Sequence, residues 1–197
     1  EVTKLELEAL TQGAVHQGVA MEIAAYDYAD ALELLDRVSA TGRKPLFVAL
    51  DQVTDPHNLG AVLRSAGAFG ADGVIIPQRR SADVNATVWK VSAGAAARVP
   101  VAKETNLVRT LEAFKARGCF VVGLDGNASV SVDNLNLADQ PLVLVTGAEG
   151  KGLSRLVRET CDEIASINIR AAVESLNAAV ATGIALYEVD RVRRTTQ

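Results

Sequence analysis

From Pro45 onward, short unbroken apolar runs alternate with stretches of helical spacing. Residues 46–50, 73–77, 99–101, 120–124, 142–145 and 164–169 read as strands, because each is a compact apolar run closed by a turn former or a charge. Residues 58–69 place Leu59, Val62, Leu63, Ala66 and Phe69 on one helical face. Helices are also predicted over 85–93, 107–116, the segment starting at 153–157, and 176–189, with Gly118 as a stop signal. Strands that are apolar on both faces and separated by helices imply a mostly parallel sheet covered on both sides, an α/β fold. Before Pro45 the pattern is weaker. Lys4 to Leu10 has helical spacing, which Thr11-Gln12-Gly13 breaks. Residues 1–25 read as a linker and the remnant of a preceding region, and 26–197 as one domain.

Composition narrows the class. The chain has 197 residues, 49% hydrophobic and 22% charged, which suits a globular core and excludes a disordered tail, a collagen-like fibre or a coiled coil. Aromatics are only 4%, so Ala, Val, Leu and Ile must fill that core. No apolar run reaches the roughly 18 residues of a bilayer span, so no membrane association is expected. The 2 cysteines, Cys119 and Cys161, fall in no motif, and a reducing cytoplasm is the expected setting. No Cys/His spacing suggests a metal, so none is expected. The formal charge of -4 argues mildly against a bulk polyanion binder. Arg43-Lys44, Arg79-Arg80 and the trio Arg191, Arg193 and Arg194 form small basic clusters, either solvated surface or tracks for phosphates.

In parallel sheets, ligands bind beyond the carboxyl ends of the strands. Three segments there carry chemistry. The first is Asp51-Gln52-Val53-Thr54-Asp55-Pro56-His57-Asn58-Leu59-Gly60, where Asn58 is placed to cap the next helix and Arg64 follows beside the apolar stripe. The second is Thr146-Gly147-Ala148-Glu149-Gly150-Lys151-Gly152, whose glycines permit close backbone approach to a ligand. It matches neither the P-loop nor the dinucleotide fingerprint, which counts against an ordinary nucleotide-binding protein. The third is Val173-Glu174-Ser175-Leu176-Asn177, where Ser175 or Asn177 suits a helix cap.

Together the three resemble the SpoU (TrmH-like) family of RNA 2′-O-ribose methyltransferases, within the SPOUT superfamily. Asp55 to Ala66, Val145 to Leu153 and Glu174 to Ala181 look like its three motifs, in order and at matching spacing, over about residues 45–190. Arg79-Arg80-Ser81 and Ser92-Ala93-Gly94-Ala95 are similar to the branch that methylates guanosine in bacterial 23S rRNA, and His16-Gln17-Gly18-Val19-Ala20 resembles its junction to an N-terminal RNA-binding domain.

The resemblance implies a deep trefoil knot at the C-terminal side of the sheet, a homodimer with residues of both subunits at each site, and an rRNA substrate. It implies S-adenosylmethionine as cofactor, bound at Leu124, Thr146, Gly147, Ile167 and Leu176. It implies catalytic roles for Arg64, Asn58, Glu149, Ser175 and Asn177. Arg64 would position the target phosphate and hydroxyl, since a guanidinium keeps its protons and makes a poor base. Asn58 would orient Arg64 or the ribose. Glu149 would order its loop through backbone amides or a basic partner. Ser175 and Asn177 would orient the third segment. The chain departs from the family pattern at Ile167-Asn168-Ile169-Arg170, where Ile-Pro-Met is usual, and Arg170 is expected to put a charge near the adenine pocket. The alternatives are the same reaction on tRNA, or a non-catalytic RNA-binding module with an altered cofactor site.

Overall fold

A computed structural model describes residues 1–11, 13, 16–170 and 175–196. In chain order the elements are α1 (Lys4–Leu10), α2 (Ala31–Ser39), β1 (Leu46–Asp51), α3 (Pro56–Ala68), β2 (Gly73–Pro77), α4 (Ala86–Val91), β3 (Val101–Glu104), α5 (Leu107–Ala116), β4 (Phe120–Leu124), β5 (Val130–Ser131), β6 (Leu142–Gly147), α6 (Arg155–Thr160), β7 (Glu163–Ser166) and α7 (Ala178–Thr196). The seven strands form one sheet of order β3-β2-β1-β6-β4-β7-β5, and every pairing is parallel. All strands therefore end at the same edge. Asp51 of β1 lies in register with Gly147 of β6, and Leu124 of β4 with Thr146.

Alternation along the buried strands splits the core into two layers. Leu46, Val48 and Leu50 of β1, with Leu142 and Leu144 of β6, pack against Leu59, Val62, Leu63 and Ala66 of α3 and Ala185, Leu186 and Val189 of α7. Phe47, Ala49, Val143 and Val145 face the other way, toward Leu34 and Leu35 of α2, Leu111 and Phe114 of α5 and Val157 of α6. The rings of Phe47 and Phe114 meet edge-on at 5.1 Å. Each such side chain contributes about 1.5–3 kcal/mol on burial.

Several element limits differ from the sequence pattern, and each has a local cause. The first long helix starts at Pro56, not Asn58, because Asp55 is the cap: its carboxylate accepts the His57 N–H at 2.8 Å. Proline at the first helical position gives up no bond, since that N–H is unpaired anyway. Asn58 is therefore inside the helix, with its side chain free for other use. β3 starts at Val101 because Pro100 has no N–H to give, although its carbonyl accepts from Val74 at 2.9 Å. β7 ends at Ser166, short of residue 169. α7 starts at Ala178 and runs on to Thr196. α2, capped by Asp30, is not among the predicted helices although Ala31, Leu34, Leu35 and Val38 have helical spacing, and the two-residue β5 is too short to show in the pattern.

The N-terminal part packs onto the body from Tyr26 onward. Its hydroxyl accepts the Val101 N–H at 3.1 Å, and Ala29 pairs with Ala102 beside β3. α1 is closed by a Thr3–Glu6 capping box. No helix among the described residues is long and apolar enough to cross a membrane.

The C-terminal basic trio is engaged within the chain. Arg193 donates to the carbonyls of Lys44, Pro45, Ala138 and Gln140. It ties the end of α7 to the chain entering β1 and β6, and burial pulls its pKa down. Arg191 pairs with Glu188 and Arg194 with Asp190, while Arg43 and Lys44 pair with Asp72 and Asp139. Replacing Arg193 by methionine strands these carbonyls. It is expected to cost about 2–4 kcal/mol, read as a lower midpoint in urea with unchanged slope.

Burial pushes the thiols of Cys119 and Cys161 up to about 11. An unfolded thiol loses its proton near about 8.5, so between the two values the folded chain holds more protons and stability falls as pH rises. Stability measured from pH 9 to 11 should fall less steeply in Cys119→Ala than in the parent chain.

Candidate functional site

A cavity of about 410 Å³ lies at the carboxyl edge of the sheet. Its walls are the ends of β4 and β6, the stretch after β7, and the start of α7. Leu124, Thr146, Gly147, Ile167 and Leu176, the residues expected around a cofactor, all line it, as do Glu149 and Ser175. Apolar side chains (Leu124, Ile167, Ile169 and Leu176) stand opposite the polar backbone of the 147–152 turn.

That turn folds back on itself. A Cβ on Gly147 would overlap the backbone of Gly152 and Leu153. Gly152 donates its N–H to Ala148 at 2.8 Å. The turn is anchored from outside by Asp51, a buried carboxylate at the end of β1 that accepts the Ser154 N–H at 2.6 Å. Below the turn, Thr146 and Thr182 are both buried, with hydroxyls 2.8 Å apart. The Thr182 proton goes to the Ala178 carbonyl at 2.7 Å, so Thr146 is the donor between them. The cavity floor is thereby tied to α7.

Beside the cavity, the three loaded segments meet at one carboxylate oxygen. Oε1 of Glu149 accepts from Asn58 Nδ2 at 3.1 Å, from Asn177 Nδ2, and from the Ala178 N–H at 3.3 Å. Asn177 Nδ2 also donates to Asn58 Oδ1 at 2.8 Å. The Asn177 carbonyl oxygen caps α7, accepting from Ala179 and Val180 at 3.0 and 3.2 Å. Both hydrogens and both lone pairs of that amide are used, which fixes its orientation. Capping and site assembly are thus one function of one residue. The partners of Glu149 are amides; it has no basic partner among the described residues.

Arg64 stands apart. It is exposed on α3, does not line the cavity of its own chain, and has no hydrogen-bond or ion-pair partner among the described residues. Asn168 and Arg170 also lie outside the cavity lining: Asn168 Nδ2 donates to Ser131 Oγ at 3.0 Å, and Arg170 is exposed. The charge expected near the adenine pocket is not among the groups that line it. Val173 and Glu174 of the third segment lie outside the described residues.

Sequence reasoning placed Asp51 in the first segment without a role for it, and missed Asp125 and Thr182. Asp51 and Asp125 each directly follow an apolar strand run, which is the signal that could have found them. Thr182 looks like any helix residue, and only packing reveals it. The clash at Gly147 and the backbone conformation of Gly150 predict different costs. Gly150 has φ +73 with nothing near its missing side chain, so Gly150→Ala should cost about 1–2 kcal/mol. Gly147→Ala should cost more, about 2–4 kcal/mol, because backbone itself must move. Thermal unfolding of the two variants compares them directly.

Comparison with known proteins agrees with this geometry. Residues 45–187 match the model of the SpoU rRNA Methylase family. An uncharacterized tRNA/rRNA methyltransferase of Mycobacterium avium is 52% identical over 195 residues, covering 98% of this chain and 62% of the relative. The chain thus spans less than two thirds of that protein's length. The SpoU methyltransferase AviRb of Streptomyces viridochromogenes, solved in complex with AdoMet, is 28% identical with a TM-score of 0.77, covering 99% of this chain and 81% of that one. An AdoMet-bound rRNA methyltransferase from Sinorhizobium meliloti is 30% identical with a TM-score of 0.73, covering 84% of this chain and 61% of that one. With its family model matched across the sheet and the cavity edge, and half its residues shared with the mycobacterial relative, the chain belongs to the SpoU rRNA methylase family.

Proposed function

We propose that this chain uses S-adenosylmethionine to methylate a ribose 2′-hydroxyl, that of a guanosine in 23S rRNA, as a homodimer in the cytoplasm, with the chain knotted around the cofactor cavity. The observation that carries the reading is the junction of Asn58, Glu149 and Asn177 beside the cavity, which gathers the three segments resembling the methyltransferase motifs. The AdoMet bound to the related AviRb and Sinorhizobium structures supports the choice of cofactor. The cavity fits that group. About 410 Å³ falls within the range of small-molecule sites, and apolar Leu124, Ile167 and Leu176 share the lining with the polar backbone of the 147–152 turn.

When bound, the cofactor supplies a methyl group on a positively charged sulfur, ready for in-line displacement. Alignment then matters more than acid or base strength. Leu124, Ile167 and Leu176 would enclose the adenine. The 147–152 turn would offer backbone hydrogen bonds, and Ser175 would stand where substrate enters. Glu149, Asn58 and Asn177 would hold the walls in register. Arg64 would donate to the target phosphate and to the 2′-oxygen, turning an oxygen lone pair toward the methyl. The hydroxyl proton would pass to solvent as the new bond forms.

Arg64 is exposed and does not line the cavity of its own chain, so in this reading it serves the partner subunit's cavity. An apolar groove between α3 and α7 supports the dimer. It is lined by Ala61, Phe69, Val180, Ile184 and Tyr187, and the last three are 51%, 40% and 49% exposed. An apolar strip of this kind marks an interface. Its lining includes Asn177, so the groove adjoins the site. Arg79 and Arg80, exposed after β2, have no partner among the described residues. Their loop returns through the Ala82 N–H to the Val53 carbonyl at 2.9 Å, beside the first segment. They are among the exposed cationic positions that could track RNA phosphates.

Subunit mixing tests the reading. Arg64→Ala is expected to lose methyl transfer to a 23S rRNA fragment while keeping cofactor affinity in calorimetry. Glu149→Ala is expected to be inactive on its own. An equal mixture of the two should recover about a quarter of parental activity, because about half of the dimers are mixed and one of the two sites in each is complete. Arg64 acting within its own chain would leave the mixture inactive. Transfer to tRNA but not to the rRNA fragment would move the substrate assignment.

A further inference from the structure

Asp125 is a charged residue of the cavity that the three-segment junction does not use. It directly follows β4 and lines the cavity together with Gly126 and Asn127. Its backbone N–H is bound by the Ala165 carbonyl at 3.0 Å, so its Cα sits rigidly at the sheet edge. Oδ1 accepts the Asn127 N–H at 2.9 Å, and Oδ2 accepts from Arg158 Nη1 on α6. Oδ2 also lies 3.9 Å from where a Cβ on Gly152 would stand, so the carboxylate faces the glycine turn across the cavity. The Asp125 side chain is 18% exposed and that of Arg158 44%.

A carboxylate offers about four acceptor positions. Asn127 and Arg158 take one on each oxygen, which leaves one free on each. Two acceptors at carboxylate spacing match two neighbouring hydroxyls, and a ribose presents such a pair. The other charged lining groups suit this ligand less well. Oε1 of Glu149 is committed to three donors, and Lys151 has no acceptor to offer. A carboxylate can accept from hydroxyls but has no hydrogen to offer a phosphate, so the arrangement suits a ribose with free hydroxyls.

We propose that Asp125 binds the ribose hydroxyls of the cofactor, and that Arg158 is the positioning residue that holds its carboxylate between the wall after β4 and the wall leading to α6. This rests on the reading of the cavity as the S-adenosylmethionine site. The discrimination comes from a charged acceptor that a deoxy ligand leaves unpaired inside a cavity, which is costlier than an equal loss in water.

The test is titration calorimetry of the full chain with S-adenosylhomocysteine and its 2′-deoxyribose counterpart. The parent chain is expected to prefer the ribose form by about tenfold. In Asp125→Asn, which keeps an acceptor for the Asn127 N–H, the preference is expected to fall below about threefold. Arg158→Gln should lower it part-way. Selectivity is a ratio within one variant, so a general loss of stability does not produce the result. An equal preference in the parent and Asp125→Asn overturns the assignment, and so does a parent chain that binds both ligands equally. A parent chain that binds neither removes the cavity reading itself, a result distinct from binding without selectivity.

Discussion

One carboxylate oxygen organises the site. Glu149 Oε1 receives donors from residues 58, 177 and 178, which lie on two helices and far apart in the chain. Acceptance by an ionised oxygen makes each bond stronger than a neutral one. The arrangement is also intolerant of partial loss, because a donor left without its acceptor in a half-buried place costs more than the bond contributed. Asn177 cannot be replaced by its acid without setting two carboxylates against each other, and Asn58 is 7% exposed. The junction therefore behaves as a unit: α3, the turn after β6 and α7 are in place together.

Why these pieces meet follows from the sheet. Every strand runs the same way, so every strand end, with the loop that leaves it, arrives at one edge. β1 and β6 are neighbours at the centre, and their last residues, Asp51 and Gly147, are in register. Asp51 can then reach the start of α6, while Gly147 lets the turn close upon itself. α7 completes the edge from two sides. Its first turn carries the cap and the cavity wall, and its outer face carries Val180, Ile184 and Tyr187 in the open. The same helix borders the cavity and the apolar groove.

Charge follows the same logic of place over composition. A net charge of -4 says little about a polyanion partner, because most clustered cations are engaged internally. Arg193 is spent on four carbonyls, and its neighbours Arg191 and Arg194 on carboxylates. Arg64, Arg79 and Arg80, exposed and without partners among the described residues, follow β1 and β2 in the chain.

Much of the fold was legible in the chain itself. Unbroken apolar runs announce parallel strands because both faces of such a strand are buried, and β2, α5 and β4 have the limits the pattern predicts. The three loaded segments were also legible, since glycine, asparagine and glutamate after apolar strands are costly unless something requires them. Other features depended on distance in space. That Asp55 and not Asn58 caps α3 follows from which side chain found a partner 91 residues away. That Arg193 is a brace and not a surface charge follows from where four carbonyls happen to face. Local pattern determines which elements form, because backbone bonding and burial period are local. Tertiary packing decides what each polar side chain is for, because a hydrogen bond needs a partner and the chain brings that partner only when folded.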